Sequence, residues 1–234
     1  MLLLIWNEWT RIMLLINKHG APNSLISNVK RLRAGEKTNS GSRQVQYRNL
    51  DPDVKHDIDA ALIIEQGGLC AYCMSRISSE TMHIEHYHAQ HAGADDDDEL
   101  SVRYDNMLAV CSGGEGNPRP QQTCDKHRGN EPLTVDPRRE DHIRSITYKS
   151  DGTISSLNSD INKDLNVTLN LNMRQLKNDR AAALDTLKKQ LLSHGSKKFI
   201  DMCRYYAQRY ESQQKKTEYV GILLDYLHRK LQRQ

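Results

Sequence analysis

Four cysteines constrain this chain more than any other feature. Cys70 and Cys73 stand two residues apart in "LCAYC", and Cys111 and Cys124 follow in "NMLAVC" and "TCDKHRG". The short spacing lets both thiolates of "CAYC" reach one ion from a tight turn. A redox pair would use Cys70 and Cys73 alone and leave Cys111 and Cys124 idle. The second pair is widely spaced, but the intervening "SGGEGNPRPQQT" holds enough Gly and Pro for a loop whose ends converge. A structural Zn²⁺ held by Cys70, Cys73, Cys111 and Cys124 is therefore expected, ahead of a Cys₃His set in which His127 replaces one cysteine. The remaining cysteine, Cys203, stands alone in a helical stretch and reads as a small buried hydrophobe.

At 234 residues the chain can hold one medium domain, or a core domain with an appended helical region. Its charged fraction of 27% fits a soluble globular protein with a modest core, and a net charge of +3 points to no particular partner. Lys30, Arg31, Arg33, Lys37, Arg43 and Arg48 make the early chain basic, for which a solvated face is the default account. The opening "MLLLIWNEWTRIMLLI" is interrupted by Asn7, Glu8 and Arg11 and lacks a basic start or a small-residue cleavage site. It reads as neither a signal peptide nor a membrane span, so a cytoplasmic protein without a membrane partner is expected. In that reducing compartment the cysteines are not expected to form disulfides.

A short helix is predicted around Ser24 to Arg33, followed by a Gly/Ser/Thr/Asn loop. A second helix starts with Asp51 as N-cap and Pro52 in the first position. Val54, Ile58, Leu62 and Glu65 mark one of its faces, and Gly67-Gly68 ends it. From Cys70 to about Asp136 helical periodicity is lost, and the β-prone "TMHIEHY" and "NMLAVC" flank an acidic loop, "GADDDDEL". "IRSITYKSDGTISSL" reads as a hairpin turning at Asp151-Gly152. From about Met173 the periodicity predicts helices marked by Leu176, Ala183, Leu187 and Leu191, then by Phe199, Met202, Tyr206 and Tyr210, then by Val220, Leu223, Leu224 and Leu227.

A closed tetrathiolate leaves no position for a reactive water, so the histidines of "HIEHYHAQ" (83–90) need another account. Phosphodiester hydrolysis needs a base for water, a hard cation for developing charge, and alignment of the parts. Neutral imidazole is a suitable base near neutral pH. Mg²⁺ keeps several waters and needs only one or two protein oxygens. Glu85-His86, Asn106 and "CDKHRG" supply these parts. His83, His88 and His91 read as strand or loop positions beside the site, and Asp95 to Asp98 as a solvated acidic loop.

The ordered set "LCAYC", "HIEHYHAQ", "YDNMLAVCSGGEG" and "TCDKHRGNEPLTVDP" resembles the HNH endonucleases, and more narrowly the retron-associated and Septu-type HNH nucleases of the PtuB kind. The strong part of the resemblance runs from Leu69 to Pro137. A weaker part, "MLLINKHGAPNSL", begins at Met13 and marks residues 1–12 as a candidate upstream extension. The resemblance implies an α+β fold: a zinc-stabilised HNH (ββα-metal) core at 69–137, an N-terminal helical segment at 13–68, and a β-hairpin and helical region at 138–234. It implies that His86 is the general base and Glu85 a ligand of a catalytic Mg²⁺ or Mn²⁺. Asn106 would orient the loop that holds the base. His127 falls at the last motif position as the second metal ligand, ranked above Asp125, which some members use instead.

The resemblance further implies the effector nuclease of an antiphage system. Its partners would be a nucleic acid substrate, an SMC/ABC-like ATPase of the PtuA type and, in retron settings, a reverse transcriptase with its RNA–DNA hybrid. Two rivals stand beside it: a toxin-like RNase cutting structured RNA such as tRNA, and a non-catalytic zinc module binding nucleic acid or a partner protein. Tyr205, Tyr206, Tyr210, Tyr219 and Tyr226 gather in the last helices, where they either complete the core or face the ATPase.

Overall fold

A computed structural model describes residues 15–35, 44–88, 98–193, 195 and 198–232. The candidate extension, Lys37, Arg43, His91 and Asp95 to Asp97 lie outside them. Helix α1 (Asn23–Arg33) and helix α2 (Pro52–Glu65) form where the sequence predicts them. α2 buries Val54, Ile58 and Leu62, one residue per turn on the face toward the core. Asp51 occupies the N-cap position, yet its side chain does not cap the helix. Its carboxylate instead accepts from Asn28 Nδ2 at 2.6 Å and lies 3.7 Å from Arg31, which ties α2 to α1. The buried Asn28 amide needs a partner more than the solvent-facing first turn needs a cap.

Gly67 and Gly68 end α2 with φ of 62° and 73°, and the Gly68 N–H donates to the Ile63 carbonyl at 2.8 Å. A Cβ on Gly67 would lie 2.9 Å from the Gln214 carbonyl oxygen, so glycine here also lets the C-terminal region close on the helix end. The Lys216 N–H completes that contact by donating to the Gly67 carbonyl at 3.0 Å.

Strand β1 (Met82–His86) pairs antiparallel with β2 (Met107–Cys111), with Glu85 opposite Leu108 and His86 opposite Met107. Met107 to Val110 are buried on both faces of the sheet. The free edge of β2 is satisfied by the Gln66 amide, which donates to the Ala109 carbonyl at 2.7 Å and accepts the Ala109 N–H at 2.8 Å, as a neighbouring strand would. The short helix α3 (Cys124–Arg128) packs on β2. Strand β2 and helix α3 thus each carry one of the four cysteines, Cys111 and Cys124.

After α4 (Glu140–Arg144), β3 (Ile146–Tyr148) and β4 (Ile154–Ser156) form the predicted hairpin, whose turn includes Gly152 at φ 83°. The stretch after it carries structure that periodicity did not announce. Asn158 caps α5 (Ser159–Lys163) by accepting from Asp160 and Ile161, and the helix widens into a π-helical turn at Asp164–Thr168. The buried Asp164 carboxylate accepts the N–H groups of Thr134 and Val135 at 2.6 and 2.8 Å. The carbonyls of Thr168 and Leu169 receive His127 Nδ1 and the Cys124 N–H at 3.0 and 2.9 Å, so this turn braces α3.

Helices α6 (Arg174–Ser193), α7 (Phe199–Ser212) and α8 (Val220–Leu231) pack together and against β3. α8 is core and not a free docking face: Val220, Ile222, Leu223, Leu224 and Leu227 are buried. Tyr210 and Tyr219 are buried and Tyr206 and Tyr226 partly so, which leaves Tyr205 exposed. Cys203 is fully buried in α7. The approach to α8 also holds the "CAYC" turn, since the Tyr219 N–H donates to Met74 and the Arg76 guanidinium donates to the Gly67, Gly68 and Lys216 carbonyls. Among the described residues no helix is long and apolar enough to cross a membrane.

Candidate functional site

Three separate pieces of chain bring the four cysteines to one point. Cys70 and Cys73 lie on a turn closed by the Cys70 N–H on Ser75 and the Met74 N–H on Cys70, at 2.9 and 3.1 Å. Cys111 ends β2 and Cys124 begins α3. The loop between them closes because Gly113, at φ 59°, lies so near Thr123 that a Cβ would sit 2.3 Å from its carbonyl oxygen. Cys124 itself is held at φ 55°, a conformation costly for a residue with a side chain, and its N–H is fixed by Leu169.

The sulfurs of Cys70 and Cys124 lie 3.8 Å apart, and Cys111 lies 3.7 Å from both Cys73 and Cys124. Zinc–thiolate bonds of about 2.3 Å span a tetrahedron with edges of about 3.8 Å. The cluster therefore fits a metal ion such as zinc, with all four ligand atoms within 4.8 Å of one another. Burial raises the Cys70 pKa, and hydrogen bonding among the thiols that of Cys124, well above the ordinary range, while the same hydrogen bonds lower that of Cys111. A cation at the centre reverses that preference, because it favours every thiolate at once. His127 is not in the cluster.

Beside it lies a second polar centre. Glu85 is buried, 5% exposed, on the inner face of β1. Its Oε1 accepts from the Tyr72 hydroxyl at 3.0 Å and from Arg128 Nη1. Asp125 acts on the same carboxyl through its charge and hydrogen bonding. Burial and the Asp125 carboxylate push Glu85 up to about 8, against the pull of Arg128 and Tyr72.

The helical geometry of α3 decides which of its side chains reaches Glu85. Cys124 and Arg128 are four residues apart on one face, and both are buried. Asp125 and His127, two residues apart, diverge by roughly 160° around the axis. Asp125 is the one of the two that acts on Glu85. His127 turns to the Thr168 carbonyl and lines a cleft of about 620 Å³ with Arg119, Lys163 and Asp164. Among the described residues the four cysteines are the only His, Cys, Asp or Glu group of three or more that converges tightly enough for one ion. Glu85 and Asp125 form no such group, and as two carboxylates they would supply no more than the one or two protein oxygens that Mg²⁺ commonly takes.

His86 ends β1 and is half-buried. Its Nε2 lies 2.9 Å from the Ser101 carbonyl, which can only accept, so in the neutral ring Nε2 carries the hydrogen and Nδ1 the lone pair. Burial lowers its pKa from the usual imidazole value, partly offset by the Ser101 carbonyl and the charge of Asp125. The Tyr47 ring stands edge-on to the imidazole at 5.5 Å, and the Tyr47 N–H donates to Ser101 Oγ at 3.1 Å. Asn106 is buried, and its side chain accepts the His88 N–H at 2.8 Å while donating to the His88 carbonyl at 3.0 Å. Nδ2 also lies 3.3 Å from the Leu100 carbonyl, so one amide ties together both ends of the stretch between the strands.

His83 and His88 are exposed, the first 3.6 Å from Glu115 and the second ring-to-ring with Tyr87 at 5.0 Å. Sequence reasoning missed Arg128, Tyr72, Tyr47 and Ser101. Arg128 carried a signal: four residues after a cysteine that must point inward, it too must be buried and needs an anionic partner. Tyr47 and Ser101 carried none, since both act through contacts distant in sequence. No protein-family model and no curated protein matches this chain.

Proposed function

We propose that the chain is a metal-dependent endonuclease of the HNH type, hydrolysing phosphodiester bonds of nucleic acid. The observation that carries this reading is that Asp125 acts electrostatically on both the buried Glu85 and His86, an imidazole with its Nε2 hydrogen committed to a carbonyl. Glu85 and Asp125 would hold Mg²⁺ or Mn²⁺, which when bound polarises a phosphate oxygen and stabilises the departing oxyanion. His86 Nδ1 takes the proton of the attacking water, and its lowered pKa keeps the ring neutral and basic at neutral pH. As the proton arrives, the Ser101 carbonyl stabilises the imidazolium through Nε2. Asn106 fixes the backbone just beyond the base, and Arg128 with Tyr72 orients Glu85. The four cysteines would hold Zn²⁺ as a structural centre, with no open position for substrate.

The effector role in antiphage defence, with an SMC/ABC-like ATPase and a retron reverse transcriptase as partners, follows from the motif resemblance alone and belongs to the same proposal. A non-catalytic zinc module would need the cysteines but not the Glu85, Asp125 and His86 arrangement. The test is to sequence the ends of total DNA and RNA after inducing the gene with its neighbours, against a His86→Ala control. New ends are expected only with the wild-type chain, and their position in DNA or RNA separates a DNase from a tRNA-cutting RNase. Identical ends with wild type and His86→Ala would overturn the reading.

A further inference from the structure

The two centres are joined by one side chain. Tyr72 lies inside "CAYC", between two members of the cysteine cluster, and is 1% exposed. Its backbone is fixed together with that of Cys70 and Cys73 by the Cys70–Ser75 and Met74–Cys70 hydrogen bonds and by Ala71 donating to Ala109 at 3.0 Å, and burial confines the ring. From this place its hydroxyl reaches Glu85 Oε1 at 3.0 Å. Arg128 donates to the same oxygen, and neither donor takes Oε2. The second carboxylate is tied to the same cluster, since Asp125 directly follows Cys124.

We propose that Tyr72 is a positioning residue through which the four-cysteine centre sets the orientation of Glu85, so that an ordered cysteine centre governs how well the carboxylate pair takes a divalent cation. This rests on the endonuclease reading of Glu85 and Asp125. With both donors on Oε1, the carboxylate is held at one end, and Oε2 is the oxygen left for a cation shared with Asp125. Loss of the hydroxyl leaves Glu85 held by Arg128 alone and free to rotate toward it. The cysteine centre then acts on metal affinity as well as on folding, through an outer partner of a ligand.

The experiment is a calorimetric titration of the full, zinc-loaded chain with Mn²⁺, comparing wild type with Tyr72→Phe, Tyr72→Met and Glu85→Gln. Zinc content and melting temperature are measured on every sample. Tyr72→Phe, which removes one oxygen and keeps the ring, is expected to weaken Mn²⁺ binding about 10- to 100-fold with zinc content and melting temperature unchanged. Glu85→Gln is expected to abolish it. Wild-type affinity in Tyr72→Phe, while Glu85→Gln loses binding, overturns the role of Tyr72 and leaves the carboxylate site standing. Equal Mn²⁺ binding by wild type and Glu85→Gln, or none by wild type, overturns both readings. Loss of zinc or of folding in both Tyr72 variants also overturns the proposal, because the hydroxyl would then serve the fold.

Discussion

The side chain of Asn106 holds both polar groups of His88, accepting its N–H at 2.8 Å and donating to its carbonyl at 3.0 Å. This pair closes the chain two residues beyond His86, so the backbone that carries His86 is held by an amide across the sheet. Asn106→Ala takes this partner from the partly buried backbone groups of His88, at a cost of about 1 kcal/mol each. Asn106→Asp keeps the acceptor but turns a second oxygen toward the carbonyls of His88 and Leu100. Both variants should retain zinc yet lose most cleavage and some melting temperature. Full activity in Asn106→Asp would show that the donor half of the contact is dispensable.

Asp125 and His127 can be separated by a pair of substitutions. Asp125→Asn should lower cleavage roughly 100-fold or more, because one of the two carboxylates proposed to hold the catalytic metal is lost. His127→Ala should cost less than about tenfold in rate, its effect falling on stability through the Thr168 contact. Cleavage assays over a range of Mn²⁺ concentrations decide this, since only the Asp125 variant should need more metal. The reverse order would put the metal in the His127 cleft.

The cysteine centre should be inseparable from folding. Cys111→Ser should lose the ion and lower the melting temperature sharply, because metal binding energy is part of folding energy. Gly113→Ala should act in the same direction without touching a ligand, since it forces a Cβ against the Thr123 carbonyl at a positive φ. Cys203→Ser should keep the ion. Elemental analysis is expected to find about one zinc per wild-type chain, and a zinc-free protein with an unchanged melting curve would contradict the centre.

A pH effect on stability should come from Asp225, far from the carboxylate pair in sequence and on α8. Burial pushes Asp225 up to about 6, against the opposing charges of Arg229 and His228 and a hydrogen bond from the Tyr148 backbone. The folded value lies above the ordinary 3.8, so the stabilising contribution is complete at low pH and is lost as pH rises through about 6. Asp225→Asn removes the ionisation. Its melting temperature relative to wild type should therefore rise between roughly pH 4 and pH 7. A difference that stays constant with pH would assign the effect to another group.

Local chemistry determined much of this protein. The Pro52 start, the Gly67-Gly68 stop, the strands around Ile84 and Leu108, the hairpin at Gly152 and the amphipathic C-terminal helices all follow from rules spanning a few residues. The cysteine cluster was legible too, because ligand type and spacing restrict what four thiols can do. What the sequence left open was angular and long-range. Whether Asp125 or His127 meets Glu85 depends on the rotation of a five-residue helix, and that rotation is set by Cys124 pointing inward and by the carbonyls of Thr168 and Leu169. Periodicity marked α8 as apolar on one side but could not say what covers it. Packing against α6, α7 and β3 settles that, because an apolar face is buried by whichever surfaces the whole chain brings to it. Tyr47, Tyr72, Ser101 and Arg128 acquire their places only when distant segments meet, since a hydrogen bond is fixed by distance and direction in space and leaves no period in the chain.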